Sequence, residues 1–279
     1  MKQTTISFEF FPPQTDAGRE KLRQTHLELA KFQPEFFSVT YGAGGSTREF
    51  TRDIVMEIHD SGSSAVPHLS FGNASEEDML SLLSSYKKAG IDRIVVLRGD
   101  RPSGLGGGSK LVHANELVAF IRSHFGDHFE LLVAAYPEIH PEAESYEQDI
   151  YWLKEKFSAG ASRAITQYFY NADGYFYFIE QCQKAGIDRP IIPGIMPITN
   201  YRNLLRFSEN CGAEIPRWVC QRLEQFGEDT ASIQAFGLEV VTRLCEKLLA
   251  GGAPGLHFYT MNQVDVNAAL CRNLGVKEG

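Results

Sequence analysis

The sequence predicts an α/β protein built as a closed (β/α)8 TIM barrel. Three observations carry that prediction. Short apolar runs alternate with longer amphipathic stretches eight times along the 279 residues, at about 30 residues per unit. The runs are continuous, as in Ile94-Val95-Val96-Leu97, which suits strands buried on both faces of a parallel sheet. Eight such units in a chain of this length match a closed barrel. The competitor is a doubly wound open sheet. It usually carries a glycine fingerprint for phosphate after its first strand, whereas Glu9-Phe10-Phe11-Pro12-Pro13 stands there.

Taken in order, Thr5 to Phe11 is the first strand, stopped by Pro12-Pro13. A helix over Ala17 to Lys31 follows, then a strand over Phe36 to Tyr41. Ser46-Thr47-Arg48-Glu49 reads as a capping box opening a helix to about Ser61. Ala65 to Phe71 is the third strand. Ser75-Glu76-Glu77-Asp78 then reads as an N-cap with acidic first-turn residues, opening a helix that ends at Gly90. Ile94 to Leu97 is the fourth strand, followed beyond a glycine-rich loop by a helix over Asn115 to Phe125. Phe129 to Tyr136, Ala164 to Phe169, Ile191 to Met196 and Gly255 to Tyr259 are the remaining strands. Helices are expected over Glu144 to Ala159, Gly174 to Ala185, Arg202 to Cys211, Arg217 to Phe226, Thr230 to Ala250 and Val264 to Leu274. No composition break marks a linker, so residues 1–279 are expected to form one domain.

Hydrophobic residues make up 43% of the chain, enough for a full core, and charged residues 22%. A net charge of -8 with no basic run disfavours a nucleic-acid surface. No 18-residue apolar run exists, and Met1 to Phe11 lacks the apolar centre of a signal peptide, so a cytoplasmic location is expected. The five cysteines, Cys182, Cys211, Cys220, Cys245 and Cys271, fit neither a zinc site nor a disulfide framework. They are expected to be mostly buried thiols. No metal is expected.

In a barrel of this kind the site lies at the carboxyl ends of the strands. The polar residues there are Glu9, Thr40, His68, Arg98, Asp100, Tyr136, His140, Gln167 and Tyr259. Ser7, Glu9 and Phe11 share one face of the first strand, and Phe8 and Phe10 share the other. If the phenylalanines face the helices, Glu9 points into the barrel mouth. A carboxyl in an apolar site has a raised pKa and can act as a general acid. The alternative is a salt bridge from Glu9 to a lysine or arginine on a neighbouring strand. Arg98 and Asp100 end the fourth strand. They either belong to the site or pair with each other on a turn. Ionised, Asp100 would favour a developing positive charge, and Gly99 beside it allows close backbone approach to a ligand.

Gly42 to Thr47 fails the dinucleotide fingerprint because Thr47 stands where the third glycine belongs. Gly104 to Lys110 fails the P-loop because Ser109 precedes Lys110. Tyr168, Phe169, Tyr170, Tyr175, Phe176, Tyr177 and Phe178 form an aromatic cluster. It is either core packing or a lining for a flat aromatic ligand.

Several ordered strings together resemble one family. Phe8-Glu9-Phe10-Phe11-Pro12-Pro13, Ser38 to Gly45, Leu97-Arg98-Gly99-Asp100, Ala134 to Pro141, Ala164 to Gln167, Pro193 to Pro197 and His257 to Asn262 look like methylenetetrahydrofolate reductase in its short bacterial form. The resemblance implies a barrel that holds FAD without a Rossmann fold. It implies reduction of 5,10-methylenetetrahydrofolate to 5-methyltetrahydrofolate with NADH or NADPH, supplying methyl groups for methionine synthesis. By matching, Glu9 falls on the general acid, and Asp100 on the carboxylate that stabilises an iminium cation between flavin and folate. Thr40, His68, Leu97, Arg98, Gly99, Asp100, His113, Ala114, Tyr136, His140, Asp149, Trp152 and Lys156 fall on flavin positions. Gln167, Asn203, Phe207, Tyr259 and Gln263, with Glu9 and Asp100, fall on substrate positions. The family also suggests a homo-oligomer.

The sequence departs from the family's pattern at several of these positions. His113 replaces a tyrosine beside the flavin. Trp152 and Glu155 stand where a smaller polar residue and a basic one contact the cofactor's outer half. Asn203 replaces glutamine, and Gln263 stands where an arginine can engage the substrate tail. Two other functions compete with this one. A lyase or isomerase acting on a sugar phosphate would want a glycine loop after the seventh or eighth strand. A degenerate barrel serving as a binding subunit would tolerate the departures. A flavin spectrum separates the reductase from both.

Overall fold

The structure is a computed structural model that describes residues 4–41, 48–71, 74–98 and 113–279. Among these residues the order is β1 (Ile6–Phe10), α1 (Asp16–Ala30), β2 (Phe37–Val39), α2 (Arg48–Asp60), β3 (Ala65–Leu69), α3 (Glu76–Ala89) and β4 (Arg93–Val96). Then come α4 (Ala114–Phe125), β5 (Glu130–Ala135), α5 (Tyr146–Ser158), β6 (Arg163–Thr166), α6 (Ala172–Lys184), β7 (Ile191–Ile192) and β8 (Gly194–Ile195). The chain ends with α7 (Tyr201–Cys211), α8 (Arg217–Phe226), α9 (Thr230–Ala250), β9 (Leu256–Tyr259) and α10 (Asp265–Asn273). All pairings are parallel, in the order β7-β6-β5-β4-β3-β2-β1-β9-β8, and form a nearly closed barrel.

The expected alternation of strands and helices is therefore present, with one difference. The seventh apolar run forms two short strands rather than one. Pro193 interrupts it and has no amide hydrogen to donate. Ile191 and Ile192 pair with β6, and Gly194 and Ile195 pair with β9. The run changes partner at the proline, and this brings the two edges of the sheet together. Gly194 is required at the change-over. A Cβ there would lie 2.2 Å from the Thr166 carbonyl oxygen and 2.6 Å from the Tyr259 ring.

Helix ends follow local chemistry. Ser75 caps α3: its hydroxyl accepts from the Asp78 amide at 3.1 Å, and the Asp78 carboxylate accepts from the Ser75 amide at 3.3 Å. The helix stops at Gly90, whose φ of 91° suits glycine. The capping box expected from Ser46 and Thr47 lies outside the described residues, as do the stretches Gly42 to Thr47 and Gly104 to Lys110.

Alternate residues of each strand face opposite ways. Phe8, Phe10, Phe37, Val39 and Phe258 are buried on the outside, against the helices. Phe37 stacks on Phe8 at 5.7 Å and on Phe10 at 5.4 Å. Phe36, Val66, Val95, Leu132 and Ile165 fill the inside, with Leu97 and Tyr259 packed on them. Below this plug, at the amino ends of the strands, four charges alternate. Arg93 lies 3.4 Å from Glu35 and 2.9 Å from Glu130, while Arg163 lies 2.8 Å from Glu35 and 2.6 Å from Glu130. The ring lies across the amino-terminal end of the barrel, opposite the carboxyl ends where a site is expected.

The aromatic cluster at strand six is core. Tyr168, Phe169, Tyr170, Tyr175 and Phe178 are buried, and three of their hydroxyls are satisfied internally by Ser208, the Met196 carbonyl and the Ile191 carbonyl. Tyr177 is exposed. No cysteine is paired: Cys182, Cys245 and Cys271 are buried, and Cys211 and Cys220 half-buried. No helix among the described residues is long and apolar enough to cross a membrane.

Candidate active site

Glu9 points into the barrel, as the burial of Phe8 and Phe10 on the other face requires. The register places Ser7 beside His257 and Glu9 beside Tyr259. His257 Nε2 lies 3.3 Å from Glu9 Oε2, and His68 Nε2 lies 3.2 Å from the same oxygen. The first contact is a hydrogen bond. The second is a charge contact whose geometry leaves His68 Nε2 without a hydrogen-bond partner. On its other side, His257 Nδ1 lies 2.8 Å from the Ser7 hydroxyl. With Nε2–H donating to the carboxylate, a neutral His257 accepts from Ser7, and a protonated one donates at both nitrogens. The result is a buried chain, Ser7–His257–Glu9–His68.

This arrangement corrects the expectation for Glu9. Burial does push its carboxyl up, but the charge on His68 and the hydrogen bond from His257 outweigh burial and hold it at about 2. The partners are imidazoles, not the lysine or arginine of a simple salt bridge. The ligand-free site therefore holds Glu9 as an anion, with an imidazole nitrogen of His257 and one of His68 within 3.3 Å of its Oε2.

A second group gathers where α5 meets the β5–α5 loop. Asp149 Oδ2 accepts from the His140 amide at 2.9 Å, and the His140 ring stands edge-on to Tyr136 at 4.5 Å. Lys156 Nζ donates to the Ala134 carbonyl at 2.9 Å. Burial pulls this ammonium down to about 8, against the opposing charge of Asp149. Burial likewise raises the Asp149 carboxyl and lowers His140. Arg98 pairs with Glu142 at 2.6 Å. Its pairing partner is thus on the β5–α5 loop, while Gly99 and Asp100 lie outside the described residues. Trp152 is 43% exposed and nearly parallel to the His113 ring, 6.0 Å away at 7°. Ala114, the first residue of α4, is buried behind His113. Lys156 follows Trp152 by four residues on α5, so a cation and an exposed ring share one helix face, which suits a ligand that carries both phosphate and flat aromatic parts.

The remaining expected residues are spread around the mouth. Thr40 follows β2 and donates its amide to the Phe10 carbonyl at 2.9 Å. Gln167 follows β6, and its side-chain oxygen accepts from the Tyr168 amide at 3.0 Å. The Tyr259 hydroxyl crosses the lumen to the Thr166 carbonyl at 2.6 Å, so it is engaged within the protein. Asn203 and Phe207 lie on α7, where the Arg206 guanidinium sits 5.2 Å from the Phe207 ring. Gln263 opens the turn into α10, with its amide bonded to the Thr260 carbonyl at 3.0 Å.

The profile of the family described as Methylenetetrahydrofolate reductase matches residues 1–275. The chain belongs to the methylenetetrahydrofolate reductase family. It is 38% identical over 278 residues to the 5,10-methylenetetrahydrofolate reductase of Escherichia coli K12, covering 99% of this chain and 93% of that one. The relative from Buchnera aphidicola of the same name is 39% identical over 271 residues, covering 97% of this chain and 91% of its own. Among solved structures, a Clostridium thermocellum protein described as binding two copies of 5-methyl-5,6,7,8-tetrahydrofolic acid superposes with a TM-score of 0.67 at 17% identity, covering 98% of this chain and 95% of that one. At that identity the likeness is one of fold. The resemblance read from the strings along the chain is therefore correct at the level of the family.

Two residues of the family member's buried chain were missed from sequence as site residues. His257 carries a clear signal, because it stands two positions before Tyr259 and period two puts both on the inner face. Ser7 stands two positions before Glu9 for the same reason. Nothing in the spacing indicated that His257 and Ser7 would meet.

Proposed function

We propose that the protein reduces 5,10-methylenetetrahydrofolate to 5-methyltetrahydrofolate with FAD and NADH or NADPH, in one-carbon metabolism that supplies methyl groups for methionine synthesis. The single observation that carries this reading is the Glu9 carboxylate buried between His68 and His257 at a barrel mouth in a member of this family. We place the whole activity in one barrel over residues 1–279.

The groups around α5 fit the flavin dinucleotide. Lys156 supplies a buried ammonium for the pyrophosphate. His113 and Trp152 offer flat surfaces for its rings, and Tyr136, His140 and Asp149 form a bonded wall beside them. Thr40, His68, Leu97, Arg98 and Ala114 complete the flavin side, with Gly99 and Asp100. Bound there, FAD would supply hydride transfer between the nicotinamide and the folate carbon. Glu155 is half-buried on the same helix. It is unfavourable beside a phosphate unless it faces away.

The chain's own part is proton handling and charge. A proton held on His257 or His68 passes to Glu9 Oε2 and from there to the folate nitrogen, opening the five-membered ring to an iminium cation. Ser7 steadies the far nitrogen of His257 through this step. Asp100 is assigned to stabilise the cation electrostatically. Gln167, Asn203, Phe207, Tyr259 and Gln263 are assigned to the folate and its tail. The protein acts in the cytoplasm as a homo-oligomer, without nucleic-acid or membrane partners.

Purification with an absorbance band near 450 nm, a region typical of oxidised flavin, tests the cofactor. Bleaching by NADH or NADPH and recovery on adding methylenetetrahydrofolate test the reaction. A colourless protein that binds no added FAD, or a flavin that methylenetetrahydrofolate does not reoxidise, overturns the reading.

A further inference from the structure

The mouth end of β1 is held in an unusual way. The strand ends at Phe10, and Pro12-Pro13 ahead of it cannot extend the ladder. Beyond the Glu9–Tyr259 pair, the neighbouring chain is the turn between β9 and α10. There the Thr260 amide and hydroxyl both donate to the Glu9 carbonyl, at 3.2 and 2.6 Å. Two residues on, the Asn262 carboxamide takes both backbone groups of Phe11. Its Oδ1 accepts from the Phe11 amide at 3.1 Å, and its Nδ2 donates to the Phe11 carbonyl at 2.9 Å. A carboxamide has the donor and acceptor of a peptide group, so this side chain stands in for one more residue of strand.

The chain adopts a costly backbone to place it. Met261 and Asn262 have φ of 52° and 53°, the only consecutive non-glycine residues in the left-handed region among those described. Asparagine tolerates that region, whereas methionine does so rarely. Strain of this kind persists where the surroundings over-determine it, and it concentrates at functional sites. Here the surroundings are the Thr260 hydroxyl, which accepts from the Asn262 amide at 3.1 Å, and buried Asn267, which donates to the Thr260 and Gln263 carbonyls at 3.1 and 2.7 Å. The Asn267 and Thr260 bonds brace the turn itself, and the Thr260 bonds to Glu9 and the Asn262 bonds to Phe11 join it to the first strand.

We propose that Asn262 is a positioning residue for Glu9. Its carboxamide locks the end of β1 so that the Glu9 carboxylate stays between His68 and His257. The contacts it protects are 3.2 and 3.3 Å long, and the hydrogen bond among them weakens steeply with misalignment. The inference rests on the reading of Glu9 as the proton donor to folate.

The test uses the flavin-loaded protein and Asn262→Ala, Asn262→Asp and Asn262→Gly. Aspartate keeps the acceptor for the Phe11 amide but sets a carboxylate against the Phe11 carbonyl. Glycine deletes the side chain while relieving the left-handed backbone, and so guards against simple misfolding. Each variant is expected to slow reoxidation by methylenetetrahydrofolate about tenfold while flavin reduction by NADH or NADPH stays within about twofold. The acid limb of the reoxidation pH profile is expected to move to higher pH, because Glu9 loses partners that hold its carboxyl down. Wild-type reoxidation with an unmoved limb in the glycine variant overturns the proposal. So does an equal loss in both half-reactions, which marks a structural role only. Titration of the Glu9 carboxyl by carbon NMR, in wild type and Asn262→Gly, separates the two ideas if the wild type reduces no folate. An unshifted titration refutes the latch, and a shifted one sustains it while the functional reading fails.

Discussion

His257 Nε2 approaches Glu9 Oε2 to 3.3 Å from within the wall of the barrel, with no solvent exposure of the imidazole. The histidine on β9 and the carboxylate on β1 are 248 residues apart in sequence, and only closure of the barrel brings them together. A buried carboxylate without such a partner would carry a raised pKa. With it, and with His68, the group is held at about 2.

The pair makes stability depend on acid. The Glu9 carboxyl is lowered from 4.5 to about 2 on folding, so its contribution is full above pH 4.5 and is lost as the pH falls toward 2. The magnitude is on the order of 3 kcal/mol for a group this well buried. Urea unfolding at pH 6 and pH 3 should show this loss in the wild type and a markedly smaller one in Glu9→Gln. Equal losses in both would show that Glu9 is not held as an anion.

The ion ring at the barrel floor should matter through its geometry. Glu35 faces both Arg93 and Arg163, and all four side chains are less than a third exposed. Glu35→Ala leaves two partly buried guanidiniums sharing Glu130 as their one carboxylate and should cost about 2 kcal/mol. Thermal unfolding at low and high salt checks this. The deficit should shrink only partly in salt, since buried pairs are screened less than surface ones.

Gly194→Ala tests the closure of the barrel. The new Cβ would meet backbone at 2.2 Å, which a side-chain rotation cannot relieve. A loss at or beyond the upper end of about 1–3 kcal/mol is expected. Tyr259→Phe removes only the hydrogen bond to Thr166 and should cost about 1 kcal/mol. If the two losses match, the crowding argument is wrong.

The fold was largely legible in the chain. The apolar run Ile94 to Leu97 and its counterparts have the continuous pattern that only a sheet covered on both sides demands, and the capping group at Ser75 formed as its residues require. Pro193 was the missed signal. Read as one of eight strands, Ile191 to Met196 runs straight through a residue with no amide hydrogen, and here that residue marks a change of partner. The site was legible one residue at a time but not as a set. Strand parity alone put Glu9 in the lumen, yet the sign of its pKa shift depends on His257 and His68, which strand parity does not pair with it. Arg98 is the opposite case. Its partner, Glu142, lies in a loop 44 residues on and has no periodic signature.

Lys156 gives a cofactor test. Its ammonium is pulled down to about 8 by burial, so the free protein loses this charge as the pH rises through 8. FAD affinity of the apoprotein, measured by fluorescence titration, should weaken across that range. Lys156→Gln should bind about tenfold less tightly at pH 7, as expected for one lost charge-assisted contact, and show no such dependence. A wild-type affinity in Lys156→Gln would remove this residue from the flavin site.

The central claim is that Glu9 delivers the proton to folate, and stopped-flow absorbance on Glu9→Gln tests it most directly. The account predicts that NADH or NADPH still bleaches the flavin at close to the wild-type rate, while methylenetetrahydrofolate no longer reoxidises it. Reoxidation of Glu9→Gln at the wild-type rate would contradict it.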